Sequence, residues 1–190
     1  MGQIQTEKTD HIHTQRRRLI AGAAAAAATI FFVRPSLAAL AIAQPRRLRL
    51  QNLHTGETVA TEYWADGEYL PGGLADIAKV LRDHRSGAVH AIDPALLDLL
   101  HQVHGVLETT SAFHVISGYR SPESNAKLAA ASTGVAKRSL HMDGKAVDIR
   151  IPGVQLTNLH KAAKALKGGG VGYYAASNFV HMDIGRVRYW

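Results

Sequence analysis

A carboxylate stands inside an otherwise apolar stretch, Ala146-Val147-Asp148-Ile149-Arg150. The flanking Val147 and Ile149 predict a strand, and a strand of this composition takes its aspartate out of water with it. A buried carboxylate needs a cation or several donors around it, so any fold of this chain must bring such groups to Asp148. An ion pair with Arg150 or Arg120 is the plainest way to meet that need. His141 stands seven residues earlier, just before Gly144. The glycine lets the chain turn, so that a histidine on the loop folds over the strand carrying the aspartate. Alone, His141 reads equally well as a surface or capping histidine, and Asp143 as a solvated loop charge.

A second segment, Phe179-Val180-His181-Met182-Asp183, asks for the same environment. Its alternation predicts another strand. His181 and Asp183, two residues apart, share one face, and Val180, Met182 and Ile184 take the other. Such a strand either lines a cleft with its polar side or simply has one wet face. Two histidines and an aspartate from these segments can form a three-ligand zinc site with a position left open. An open position distinguishes a hydrolytic zinc from a structural one.

The chain has no cysteine. Disulfides, cysteine zinc fingers, iron–sulfur clusters and thiol nucleophiles are excluded, and any metal must be held by His, Asp or Glu. Stability must come from packing or from the metal itself.

Residues 1–43 read as an export signal. Gln15-Arg16-Arg17-Arg18-Leu19-Ile20 opens an alanine-rich apolar run to Val33, a charged start followed by a short apolar region. The arginine pair resembles a twin-arginine signal, and small residues allow cleavage after Ala38 or Ala43. Arg34 and Pro35 break the run short of the ~20 residues of a membrane span, so no stable span is expected after cleavage. The expected location is the periplasm. Residues 44–190 suffice for one domain with one core. The chain carries a net charge of +7, much of it in the leader; from Gln44 onward 17 Lys and Arg oppose 13 Asp and Glu. No basic stripe interleaved with aromatics is present, so nucleic acid is not an expected partner. A mild basic excess suits an anionic polymer such as a cell wall.

The remaining pattern predicts an α+β fold with helices packed on a small, mainly antiparallel sheet. A hairpin spans 48–53 and 58–64, with a turn at Asp66-Gly67. Leu74 to Leu81 shows helical spacing and ends near Gly87. Asp93-Pro94 caps a helix running to about Gly105. A strand at 113–117 leads into Ser117-Gly118-Tyr119-Arg120-Ser121-Pro122, a tight turn with Arg120 exposed at its rim. The helix that follows ends at Thr133-Gly134. A strand at 146–151, a helix at 156–166 and strands at 171–174 and 179–184 complete the domain.

Ser-Gly-Tyr-Arg-Ser at 117–121 with Asn125, Ser-x-His-x-x-Gly-x-Ala-x-Asp at 139–148, Gly-Gly-Val-Gly-Tyr-Tyr at 169–174 and Phe-Val-His-x-Asp at 179–183 together resemble the M15 zinc peptidases. Within them, the murein endopeptidase K group also resembles this chain at 50–57 and in the terminal Arg-x-Arg-Tyr-Trp. The resemblance spans nearly all of 44–190. It implies the fold shared by D-Ala-D-Ala carboxypeptidases and the hedgehog signalling domain, and His141, Asp148 and His181 as ligands of Zn2+. It also implies peptidoglycan peptide stems as substrate, with Arg120 holding a substrate carboxylate or stabilising charge on the attacked carbonyl. Some relatives carry an acid three residues before the last histidine ligand, where this chain has Asn178. That leaves Asp183 as the expected general base, with Asp143 second. The same departure favours the alternative of a non-catalytic, zinc-containing wall-binding module. The bond cut, whether a 4-3 or 3-3 cross-link or a stem terminus, stays open.

Overall fold

The computed structural model describes residues 44–132 and 135–190. The export signal, its two cleavage points and the helix end expected at Thr133-Gly134 lie outside the described residues.

The chain opens with the expected hairpin, β1 (Arg46–Asn52) and β2 (Thr58–Ala65). Asn52 organises its turn: the side-chain oxygen accepts the N–H groups of His54 and Thr55, and its amide donates to the carbonyl of Val80. Asp66 and Gly67, both at positive φ, turn the chain into β3 (Glu68–Tyr69), as a two-residue hairpin loop requires. Helix α1 (Pro71–Val80) stops well before Gly87. Asp83 is the reason. Its side chain accepts from Arg85 N and Ser86 Oγ, and its carbonyl accepts from Gly87 N. Local bonds of this kind offer the backbone an alternative to helix. Helix α2 (Pro94–Val106) begins as expected, with Asp93 accepting from Ala95 N at 3.0 Å.

Strand β4 (Phe113–Ser117), helix α3 (Pro122–Ala131), a single 3-10 turn (Leu140–Asp143), β5 (Ala146–Arg150) and α4 (Leu156–Leu166) follow. Strands β6 (Gly170–Tyr174), β7 (Phe179–Asp183) and β8 (Arg188–Tyr189) complete the sheet. Its order is β3-β2-β1-β4-β5-β7-β6-β8, antiparallel except for β1–β4 and β6–β8. The α+β reading holds. The last strand, too short to show a pattern, was not expected.

Register decides which residues share a face. Leu50 pairs with Phe113, Val115 with Ile149, Val147 with Met182, and Ile149 with Val180. These residues are buried, in one core with Leu97, Leu100 and Val103 of α2 and Leu159 and Ala163 of α4. Each large aliphatic side chain so buried contributes about 1.5–3 kcal/mol. That anchoring leaves the other face of the central strands free to carry polar groups. Across it, Ser117, Asp148, His181 and Gly172 occupy successive register positions on β4, β5, β7 and β6. Among the described residues, no helix is long and apolar enough to cross a membrane.

Candidate metal centre

Asp148 and His181 are direct cross-strand partners, and the 3-10 turn brings His141 over them. Gly144 ends that turn at φ +66°, where a side chain would also meet the carbonyl of Ala91. The expected role of this glycine is therefore met. His141 Nε2, Asp148 Oδ1 and His181 Nδ1 converge: 3.3 Å from His141 to Asp148, 2.8 Å from His181 to Asp148, and 3.3 Å between the histidines. Asp148 is 6% exposed and His141 2%.

The outer nitrogens fix what the inner ones can do. His141 Nδ1 lies 2.7 Å from the carbonyl oxygen of Gly118. That oxygen only accepts, so Nδ1 carries the proton and Nε2 turns a lone pair inward. His181 Nε2 donates in the same way to Asp183 Oδ2 at 3.0 Å, which frees Nδ1. Carboxylate or carbonyl acceptors behind the imidazoles are the usual outer layer of a metal site. Two imidazole nitrogens and a carboxylate oxygen, all acceptors, point at one spot, and these three residues are placed to hold a metal ion. The donor set fits a divalent ion such as zinc. Without a metal, His181 can take the missing proton. Burial opposes its charge, but hydrogen bonds to Asp148 and Asp183 win and raise its pKa to about 9. Asp148 is held below the usual carboxylate range: burial pushes it up, and the two histidines outweigh that.

Gly118 must be glycine for His141 to be held this way. A Cβ there would sit 2.4 Å from the carbonyl oxygen of Leu81, and the close approach is sealed by Tyr119 N donating to that oxygen at 2.7 Å. Arg120 follows. The sequence placed it exposed at a rim, but it is 8% exposed. Asp83 draws the turn inward by accepting both Ser121 N and Ser121 Oγ. Arg120 Nη1 donates to Asn125 Oδ1 at 3.2 Å, and Nη2 lies 3.4 Å from Ser117 Oγ and 3.7 Å from Asp148 Oδ2. Among the described residues, its buried Nε has no hydrogen-bond partner.

Asp183 does share the face of His181, as its spacing implied, but it does not line the cavity. It is fully buried. Oδ1 accepts from Gly170 N, Gly185 N and Arg188 Nη1; Oδ2 takes His181 Nε2 and Arg188 Nη2. A carboxylate with five donors has no free lone pair for a water proton, and its pKa is lowered accordingly. This geometry argues against the expected base role. Asp143 is exposed and also outside the cavity. Asn178 sits exposed at the β6–β7 turn at φ +52°, a conformation asparagine tolerates better than most residues. Arg188 enters the sequence only as part of the terminal Arg-x-Arg-Tyr-Trp motif, with no role at the site; the structure makes it the partner of the buried Asp183.

The site floors a cavity of about 560 Å³. One wall comes from the segment leading into the 3-10 turn, including Arg138. The other is aromatic: Trp190 Nε1 donates to Tyr174 OH at 2.9 Å, Tyr174 stacks on Phe179, and the Trp190 ring lies 5.3 Å from that of His181.

Comparison with known proteins identifies the family. The family model described as peptidoglycan L,D-endopeptidase MepK matches residues 40–190. The peptidoglycan L,D-endopeptidase MepK of Escherichia coli K12 is 42% identical over 181 residues, covering 95% of this chain and 100% of the relative. A probable peptidoglycan L,D-endopeptidase MepK of Haemophilus influenzae is 41% identical over 155 residues, covering 81% of this chain and 83% of the relative. A family match over residues 40–190, with a relative 42% identical along its whole length, means that the chain belongs to the peptidoglycan L,D-endopeptidase MepK family.

Proposed function

We propose that this protein is a zinc endopeptidase that hydrolyses peptide cross-links of peptidoglycan, at the amide between an L- and a D-configured centre. The observation that carries the reading is the trio of inward-facing acceptors on His141, Asp148 and His181 at the floor of an open cavity. The family supplies the substrate class. Zinc, when bound, supplies Lewis acidity and lowers the pKa of a coordinated water to about 7.

The residues divide the remaining work. Gly118 and Asp183 hold the two imidazoles in the ligating tautomer and orientation. Arg188 holds Asp183. Arg120 lines the cavity, and among the described residues its terminal nitrogens reach only Asn125 Oδ1, Ser117 Oγ and Asp148 Oδ2, at 3.2, 3.4 and 3.7 Å, which leaves them N–H groups to donate. It stabilises the negative charge that develops on the oxygen of the attacked amide, an interaction strongest in the transition state. The aromatic wall keeps bulk water from one side of the scissile bond. In this assignment Asp183 positions His181 and does not take the water proton.

A peptidoglycan hydrolase works in the cell envelope. The twin-arginine-like leader is the proposed route there, with the periplasm as destination and peptidoglycan peptide stems as the partner. The test is digestion of purified peptidoglycan, with and without a chelator, read by mass spectrometry of the products. Chelator-sensitive loss of 3-3 cross-linked dimers supports the reading, and zinc restores it. A zinc-loaded protein that releases nothing overturns it.

A further inference from the structure

Three arginines line the cavity, and they differ in what already holds them. Arg188 donates through both terminal nitrogens to Asp183. Arg120 is held by Asn125 and Ser117 and lies 3.7 Å from Asp148. Arg138 is exposed in the cavity wall, and among the described residues it has no hydrogen-bond or ion-pair partner. Among the described residues, Asp148 is the only acidic side chain lining the cavity, and it is turned toward the histidines. Asp183 neutralises Arg188 from behind, and Arg120 and Arg138 against Asp148 leave the cavity cationic, with Arg138 the most available to a ligand's charge.

The position of Arg138 limits which charge that is. Ser139, its neighbour, accepts from His141 N and so begins the turn that carries a proposed ligand. A group bound by Arg138 therefore lies close to the scissile amide. In an amide between an L-centre carbonyl and a D-centre amine, the D-configured carbon on the nitrogen side carries its own carboxylate when the residue is of the diaminopimelate type. That residue also has a methylene chain, which suits the wall of Tyr174, Phe179 and Trp190.

Resting on the endopeptidase reading above, we propose that Arg138 is a specificity-determining residue. It pairs with the free carboxylate next to the scissile nitrogen and selects cross-links that have one. An arginine suits the task because its planar fork matches a carboxylate in two hydrogen bonds.

The test uses the zinc-loaded protein and two synthetic cross-linked stem peptides. They are identical except that the carbon beside the scissile nitrogen bears a carboxylate in one and a primary carboxamide in the other. The wild type is expected to prefer the carboxylate by roughly tenfold or more in kcat/KM, mostly through KM. Arg138→Gln collapses that preference toward unity, Arg138→Lys keeps part of it, and both variants bind zinc as the wild type does. Equal rates on the two peptides in the wild type overturn the proposal. So does a preference that survives in Arg138→Gln. Failure of the wild type to cleave either peptide instead removes the endopeptidase reading, and this one with it.

Discussion

Asp148 and His181 face each other across antiparallel strands β5 and β7, with His181 Nδ1 2.8 Å from Asp148 Oδ1. The pairing is set by backbone register, and the register is set by the core on the opposite face. A slip of one residue moves every side chain to the other face. It would send Asp148 and His181 into the core and bring Val147 and Met182 out. The apolar packing of Val147, Ile149, Val180 and Met182 thus fixes the geometry of the polar site.

Asp183 orients His181, so its loss shows first in metal affinity. Asp183→Asn leaves Arg188 without its partner carboxylate and removes the anion behind the His181 ring. Zinc binding is expected to weaken by roughly 10–100-fold, measured by competition with a chromogenic chelator. Wild-type zinc affinity with lost turnover would instead restore Asp183 to the base role.

His181 predicts opposite pH dependences for the metal-free and metal-bound protein. Its folded pKa of about 9 lies above the ordinary value of 6.5. Its contribution to the stability of the metal-free protein is fully present below pH 6.5 and is lost as pH rises through about 9. Zinc must displace that proton, so affinity rises about tenfold per pH unit over the same window. Thermal unfolding of the metal-free protein and zinc titration at matched pH values check both slopes. Neither slope from this group is expected in His181→Ala.

Arg120 is expected to separate turnover from metal binding. Arg120→Lys keeps a positive charge but loses the planar set of donors. Zinc affinity stays near wild type, and kcat falls roughly 100-fold with little change in KM. A rise in KM at constant kcat would show that Arg120 binds the ground state instead.

Asp83 is the structural support of the Arg120 turn. It is 1% exposed and accepts from Ser121 N, Ser121 Oγ, Ser86 Oγ and Arg85 N. Burial pushes its pKa up, but the hydroxyls of Ser124 and Ser121 and the backbone N–H groups of Arg85 and Ser121 hold it well below the usual carboxylate value. Its contribution is therefore present above about pH 4 and lost as pH falls below that. Asp83→Asn is expected to destabilise the protein by about 2 kcal/mol at neutral pH and to flatten the acid limb. Denaturant midpoints between acid and neutral pH measure both.

Hydrophobic periodicity made most elements legible before any coordinates. The hairpin, the Asp93-Pro94 helix start and the strands around Asp148 and His181 appear where their side-chain patterns put them. Local chemistry that competes with periodicity was less legible. Helix α1 covers the apolar spacing up to Val80, but Asp83 stops it short of the expected end near Gly87, and β8 is too short to carry a pattern.

The sequence by itself determined which residues need one another. A carboxylate flanked by valine and isoleucine demands partners, the absence of cysteine confines any metal to His, Asp and Glu, and His181 and Asp183 must share a face of their strand. Tertiary structure decided what each partner does. Five donors from β6, β7, β8 and the segment between the last two converge on Asp183 and occupy it. Asp83, 37 residues before Arg120, draws that arginine's turn inside. Among the described residues, Arg138 alone of the cavity arginines is left unpaired. Side-chain direction follows from local backbone geometry, so it can be read along the chain. Occupancy of a lone pair depends on groups distant in sequence, so only the folded packing settles it.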